Sequence, residues 1–131
     1  MIDINNLSFG QRVDEENGLV QCWFTHGALD WIKKQDWSEK TVLMFGAGLG
    51  DAWLAKRCKM LYVVERNEEW LNTARNNCLQ NGVHNHVYCY RPCNDSSGMD
   101  EMYCAIPEGI KPDIFIQVLH LEQFLEAQIQ V

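Results

Sequence analysis

The chain has no apolar run approaching the roughly 20 residues of a membrane-spanning helix, so no transmembrane segment is expected. Met1 to Phe9 carries no basic stretch followed by an apolar core, and nothing there reads as a secretion signal. Basic charge is scarce: 11 Lys and Arg stand against 18 Asp and Glu, for a net charge of -7. Nucleic-acid binding draws on cations that neutralise phosphates, so this balance disfavours such a partner. The plainer role of the charge is solubility. Internal repeats, low-complexity stretches and linkers are absent too. The 131 residues suit one domain spanning 1–131, and 47% hydrophobic with 22% charged residues is a globular balance, not a disordered or fibrous one.

Six cysteines are present: Cys22, Cys58, Cys78, Cys89, Cys93 and Cys104. An even count suits disulfides in a secreted protein. Without a secretion signal, and with most of these residues in segments that read as helix or strand, they read as reduced core thiols of a cytoplasmic protein. His84, His86, Cys89 and Cys93 lie close in sequence, but they lack the paired C-x2-4-C spacing of structural zinc sites, and no metal site is expected.

Met1 to Gly18 is polar and irregular and reads as an N-terminal arm. Apolar residues at Val20, Trp23, Phe24, Ala28, Trp31 and Ile32 fit one helix face, predicting a leading helix over 19–36, with Trp37 to Lys40 as a connector. Residues 41–131 form the core. Thr41 to Phe45 (TVLMF) and Leu61 to Glu65 (LYVVE) are continuous apolar runs of the kind buried on both faces of a parallel sheet. A helix is expected over Asp51 to Lys59. Another starts after Asn67, a good N-cap followed by Glu68 and Glu69, and stops near Gly82. Val87 to Tyr90 and Asp113 to Leu119 are further strands; Met99 to Ile106 and Leu121 to Gln130 are expected to be helical. Strands alternating with helices predict βαβ units: a Rossmann-like, three-layer αβα fold with a mostly parallel sheet of about four strands in the order 3-2-1-4. The fourth strand would then be an apolar edge around Ile114 to Ile116, inviting a homodimer through that edge.

The informative stretch is Val42 to Asp51, VLMFGAGLGD. A buried strand enters a glycine turn and a helix follows. Glycines permit positive φ and close approach to the backbone, and a helix N-terminus offers N–H groups to an anion. Glu65, 19 residues after Gly46, ends the second strand beside the same crevice, where a carboxylate can accept from both hydroxyls of a ribose. Dinucleotide sites carry glycine at the sixth position of the turn; here it is Asp51, which would repel a pyrophosphate. A ligand with a ribose and no phosphates fits better.

From about Thr41 to Leu119 the chain resembles the class I S-adenosylmethionine-dependent methyltransferases, in VLMFGAGLGDAWLA, in VVERNEEWLNTARNNCLQNGV and in PDIFIQVL. The resemblance implies a transferase with S-adenosylmethionine as cofactor. Phe45, Gly46, Ala47, Gly48 and Gly50 would form the cofactor turn, the glycines along its methionine part. Glu65 would bind the ribose, Arg66 would lie near the adenine, and Asn94 and Asp95 would stand in the loop that meets the adenine amino group. Gln117 and His120, at the end of the fourth strand, are the catalytic candidates. Met44 stands where the family usually has an acid, and Gln117-Val118-Leu119-His120 replaces the Asp/Asn-Pro-Pro-aromatic motif of amino-group methyltransferases. The sequence also stops after the fourth strand and one predicted helix, as a chain truncated before the family's last strands would, so turnover is less assured than binding. The acceptor would be a small molecule or a protein. The alternatives are a non-catalytic cofactor- or nucleoside-binding domain acting through a partner, and a nicotinamide-dependent oxidoreductase, which Asp51 disfavours.

Overall fold

The computed structural model describes residues 12–92, 105–121 and 124–130. Its centre is β1 (Trp37–Phe45), whose last four residues, Val42 to Phe45, are at most 5% exposed. Continuous apolar residues make both faces of this strand stick to something, so it sits mid-sheet. It pairs in parallel with β2 (Cys58–Glu65) on one side and β4 (Ile114–Leu121) on the other; β3 (His86–Tyr90) pairs in parallel outside β2. With β5 (Phe124–Gln130) the order is β3-β2-β1-β4-β5, and the four parallel strands follow the order 3-2-1-4 expected of an incomplete Rossmann-like sheet.

The helix expected over Leu121 to Gln130 is not formed. β5 runs there, antiparallel to β4, from Leu121↔Phe124 to Phe115↔Gln130. Leu, Glu, Ala and Gln favour helices by composition. Yet Leu125, Ala127 and Ile129 alternate with Glu126, Gln128 and Gln130, which is the period of a strand. The open ladder of β4 then decides in favour of pairing. A second correction follows: β4 is not an edge strand. Its outer side is taken by β5, so the edge through which a homodimer was expected is filled from within the chain.

Alternation sorts the sheet residues onto two faces. Val42, Met44, Leu61, Val63, Ile114 and Ile116 pack with residues of α1 (His26–Lys33), α2 (Asp51–Ala55) and α3 (Glu68–Gln80) in one cluster. Leu43, Phe45 and Val64 form a smaller cluster on the opposite face with Tyr62, Cys89 and Phe115. Among the described residues no helix packs on that second face, so they contain the sheet and one helical layer of the expected three. Within α3 the buried residues Leu71, Ala74, Asn77 and Cys78 fall at helical spacing, and the Asn67 side chain caps the helix by accepting from the Trp70 N–H.

Several element limits differ from expectation. The leading helix starts only at His26, capped by the Thr25 hydroxyl, which accepts from the Ala28 N–H. Before it, Val20 bridges Val13 and the Gln21 N–H donates to the Arg12 carbonyl; Leu19, Val20, Cys22 and Phe24 are buried as irregular chain, which imitated a helical stripe. Trp37 to Lys40 is the start of β1, not a connector, with a register irregularity before Thr41. α2 ends at Ala55, because Cys58 already belongs to β2. The short helix expected from Met99 lies outside the described residues up to 104, and Ala105 and Ile106 are not helical. Of the cysteines, Cys22, Cys58 and Cys78 are free and buried and Cys89 is free and half-buried; Cys93 and Cys104 lie outside the described residues.

The irregular segment before α1 explains one glycine. A Cβ on Gly50 would stand 2.4 Å from both Cα and N of Cys22 and 2.8 Å from the carbonyl carbon of Gln21, all backbone atoms. A Cβ on Gly48 would meet only Asp51 Oδ1, at 4.0 Å. Gly50→Ala is therefore expected to cost about 1–3 kcal/mol in urea denaturation, and Gly48→Ala to stay within about 0.5 kcal/mol of the native chain. Equal losses for the two would contradict this packing.

Candidate functional site

β1 ends at Phe45, level with Val64 of β2 and Gln117 of β4, and the chain turns there through Gly46 to Gly50 into α2. Gly46 has φ +102°, which a side chain would strain, and its N–H donates to the Val64 carbonyl at 2.8 Å. Glu65, 6% exposed, lies across from the turn and accepts from the Ala47 N–H at 2.9 Å through one oxygen and from the Asn67 N–H at 2.7 Å through the other. Trp70, on the first turn of α3, donates its indole N–H to the Ala47 carbonyl at 2.5 Å. The Asn77 amide donates to the Leu49 carbonyl at 3.0 Å, and the Cys22 thiol to the Gly50 carbonyl at 3.3 Å. The turn is thus fixed from β2, α3 and the N-terminal segment before any ligand arrives.

Asp51 closes it from beneath. The Gly48 N–H reaches both of its carboxylate oxygens at 3.1 Å, and the Tyr88 hydroxyl, from β3, donates to Oδ2 at 2.7 Å. The Cys78 sulfur lies 3.4 Å from the same hydroxyl. Asp51 is 1% exposed. Burial pushes its carboxyl up to about 7, against the Tyr88 and Gly48 hydrogen bonds that pull it down, and the charge of Glu65 adds to the push. Burial likewise holds the thiols in the neutral form, Cys78 pushed up to about 11 and Cys58 to about 12.

The sequence expectation of N–H groups open to an anion is therefore corrected. Those of Ala47 and Gly48 are satisfied by the chain's own carboxylates, and α2 has only 5 residues. A pyrophosphate does not fit this turn. Glu65 is held in one orientation by two backbone donors, each oxygen keeping a second lone pair, and the ground beside Gly48 is open.

The structure brings Phe45, Gly46, Ala47, Gly48 and Glu65 together at one end of the sheet, with exposed Arg66 following Glu65. Gly50 belongs to the turn, but its missing side chain makes room for Gln21 and Cys22 rather than for a ligand. Gln117 is not at the strand end as expected; β4 runs on to Leu121, and His120 lies within it, paired with Leu125. Asn94 and Asp95 lie outside the described residues. His84 is exposed, His86 sits 3.0 Å from the Val83 carbonyl through Nε2, and Cys89 packs on the second face of the sheet; among the described residues no group of three or more His, Cys, Asp or Glu side chains is placed to hold a metal. Also among them, no helix is long and apolar enough to cross a membrane.

Sequence reasoning missed Tyr88, Cys78 and Trp70 as parts of the site. Trp70 is 40% exposed, Trp23 44% and Trp31 41%. The one local hint was the pair of helix-start signals, Asn67 and Glu68-Glu69, which set Trp70 on the turn facing the glycines.

Four parallel strands in the order 3-2-1-4 and a glycine turn between β1 and α2 make this a Rossmann-like α/β fold, the arrangement implied by the resemblance to class I methyltransferases. No family model and no curated protein matches the chain. Two solved structures are similar over part of it. The YcgJ protein of Bacillus subtilis shares 25% identity over 52% of this chain and 31% of its own, with a TM-score of 0.43. TYW2 of M. jannaschii, solved in complex with AdoMet, shares 18% identity over 67% of this chain and 46% of its own, with a TM-score of 0.45. The chain thus spans between about a third and a half of the length of these two proteins.

The buried acid has a consequence for stability. An acid whose folded pKa lies above its unfolded value of 3.8 keeps its proton in the folded state where the unfolded chain has lost it, so its contribution to stability falls as pH rises from about 4 to about 7. Asp51→Asn has nothing to titrate there. Across that window the melting temperature of the variant, relative to the native chain, is expected to climb. A constant offset at all pH values would contradict a raised Asp51.

Proposed function

We propose that the chain binds S-adenosylmethionine at the glycine turn, as a methyltransferase or as the cofactor-binding portion of one. The carrying observation is the Glu65 carboxylate, fixed by the Ala47 and Asn67 amides next to a glycine whose missing side chain leaves open ground. Glu65 holds the two ribose hydroxyls. Gly48 lets the ligand lie against the backbone, and Arg66 stands beside the base. The cofactor brings an activated methyl group on a sulfonium, so the protein's share of the chemistry is to align the acceptor and exclude water. On this reading Gln117 and His120 of β4 serve the acceptor, a small molecule or a protein.

Calorimetric titration with S-adenosylhomocysteine tests the reading, with NAD as the parallel control. Saturable binding of the former alone is expected. Glu65→Gln should weaken it by about tenfold or more, since it removes charge-assisted bonds to the ribose. Gly48→Val should abolish it while leaving the circular dichroism of the native chain. Failure of the native chain to bind at millimolar ligand, or full affinity in both variants, would sink the proposal.

A further inference from the structure

Asp51 is used by nothing in the reading above except to brace the turn. Its carboxyl accepts from the Gly48 N–H and is buried at 1% exposure. The group is held still from two sides, by that N–H and by the Tyr88 hydroxyl at 2.7 Å, so it cannot swing away. The vacant Cβ position of Gly48 is 4.0 Å from its Oδ1. A ligand atom occupying that open ground is therefore in van der Waals contact with the buried carboxylate.

The groups facing Asp51 come from every element packed around it. They are Glu65 of β2, Tyr88 of β3, Cys78 of α3 and Cys22 of the N-terminal segment, with the His86 ring 5.2 Å from that of Tyr88. The charge acting on Asp51 is that of Glu65 and has the same sign. Burial holds Cys22 and Cys78 as neutral thiols and Tyr88 as a neutral phenol. The carboxylate is thus left without a counter-charge from these neighbours. In a medium of low polarity an unbalanced charge acts strongly on whatever comes next to it.

We infer that Asp51 is the specificity-determining residue of the turn: it favours a ligand bearing positive charge beside Gly48, so that the site prefers the sulfonium donor to its neutral thioether product and rejects a nucleoside carrying a phosphate. The inference rests on the proposed nucleoside site and adds its charge selectivity. It also makes binding sense pH. Asp51 titrates at about 7, and only its ionised form discriminates, so preference for the cation rises with pH.

The test compares four ligands by calorimetry: S-adenosylmethionine against S-adenosylhomocysteine, and adenosine against adenosine monophosphate. In the native chain the first of each pair binds more tightly. The preference for the sulfonium grows severalfold from about pH 6 to about pH 8, as the acid ionises. In Asp51→Asn both preferences shrink, by roughly tenfold each, and the pH dependence disappears. Should that variant fail to fold, the pH series on the native chain still decides. Preferences that are the same in the variant, or a ratio that does not change with pH, overturn the inference while S-adenosylhomocysteine binding upholds the site. Absence of binding by all four removes the site, and the inference with it.

Discussion

The Glu65 carboxylate ties together the ends of the two central strands. One oxygen holds the Ala47 amide in the turn after β1, the other holds the Asn67 amide at the start of α3, and Glu65 itself is the last residue of β2. Two backbone donors, those of half-buried Ala47 and exposed Asn67, are satisfied by one buried side chain. The rest of the turn builds on this anchor. Trp70 reaches the Ala47 carbonyl because α3 begins where Glu65 and Asn67 set it, and Asn77, two turns further along the same helix, reaches Leu49. The turn at this end of the sheet is braced by the chain's own side chains.

The three glycines of the turn divide the work. Gly46 supplies a backbone conformation, Gly50 makes room for the chain before α1, and Gly48 has no duty of either kind. The turn's conformation and packing are thus met by two residues, which leaves the third free of both tasks. Asp51 shows the same economy from the opposite direction. Its burial is unfavourable for a charge, and it lies next to the open ground at Gly48.

What the sequence revealed was whatever depends on neighbours along the chain. TVLMF and LYVVE are mostly apolar, and their central residues are buried on both faces of β1 and β2, so their identity and order were legible, and with them the glycine turn and Glu65. The last segment was not, because helix-forming residues filled a strand whose formation depends on the partner β4. The beginning of α1 was misread because residues buried as irregular chain happened to match a helical spacing. Asp51 was read only as a charge that a phosphate would meet. Its partner Tyr88 lies 37 residues away and is brought in by the outermost parallel pairing, so no local signal could disclose it. Tyr88 itself looked like one more residue of a short strand.

The central claim is that the turn braced by Glu65 is where this chain holds its ligand. Nitrogen-15 NMR of the labelled chain, titrated with S-adenosylhomocysteine, tests it most directly. The account predicts saturable shifts concentrated at the amides of Ala47, Gly48 and Asn67, the donors held by Asp51 and Glu65. Saturable shifts clustered elsewhere in the sheet, with these three amides unmoved, would contradict it.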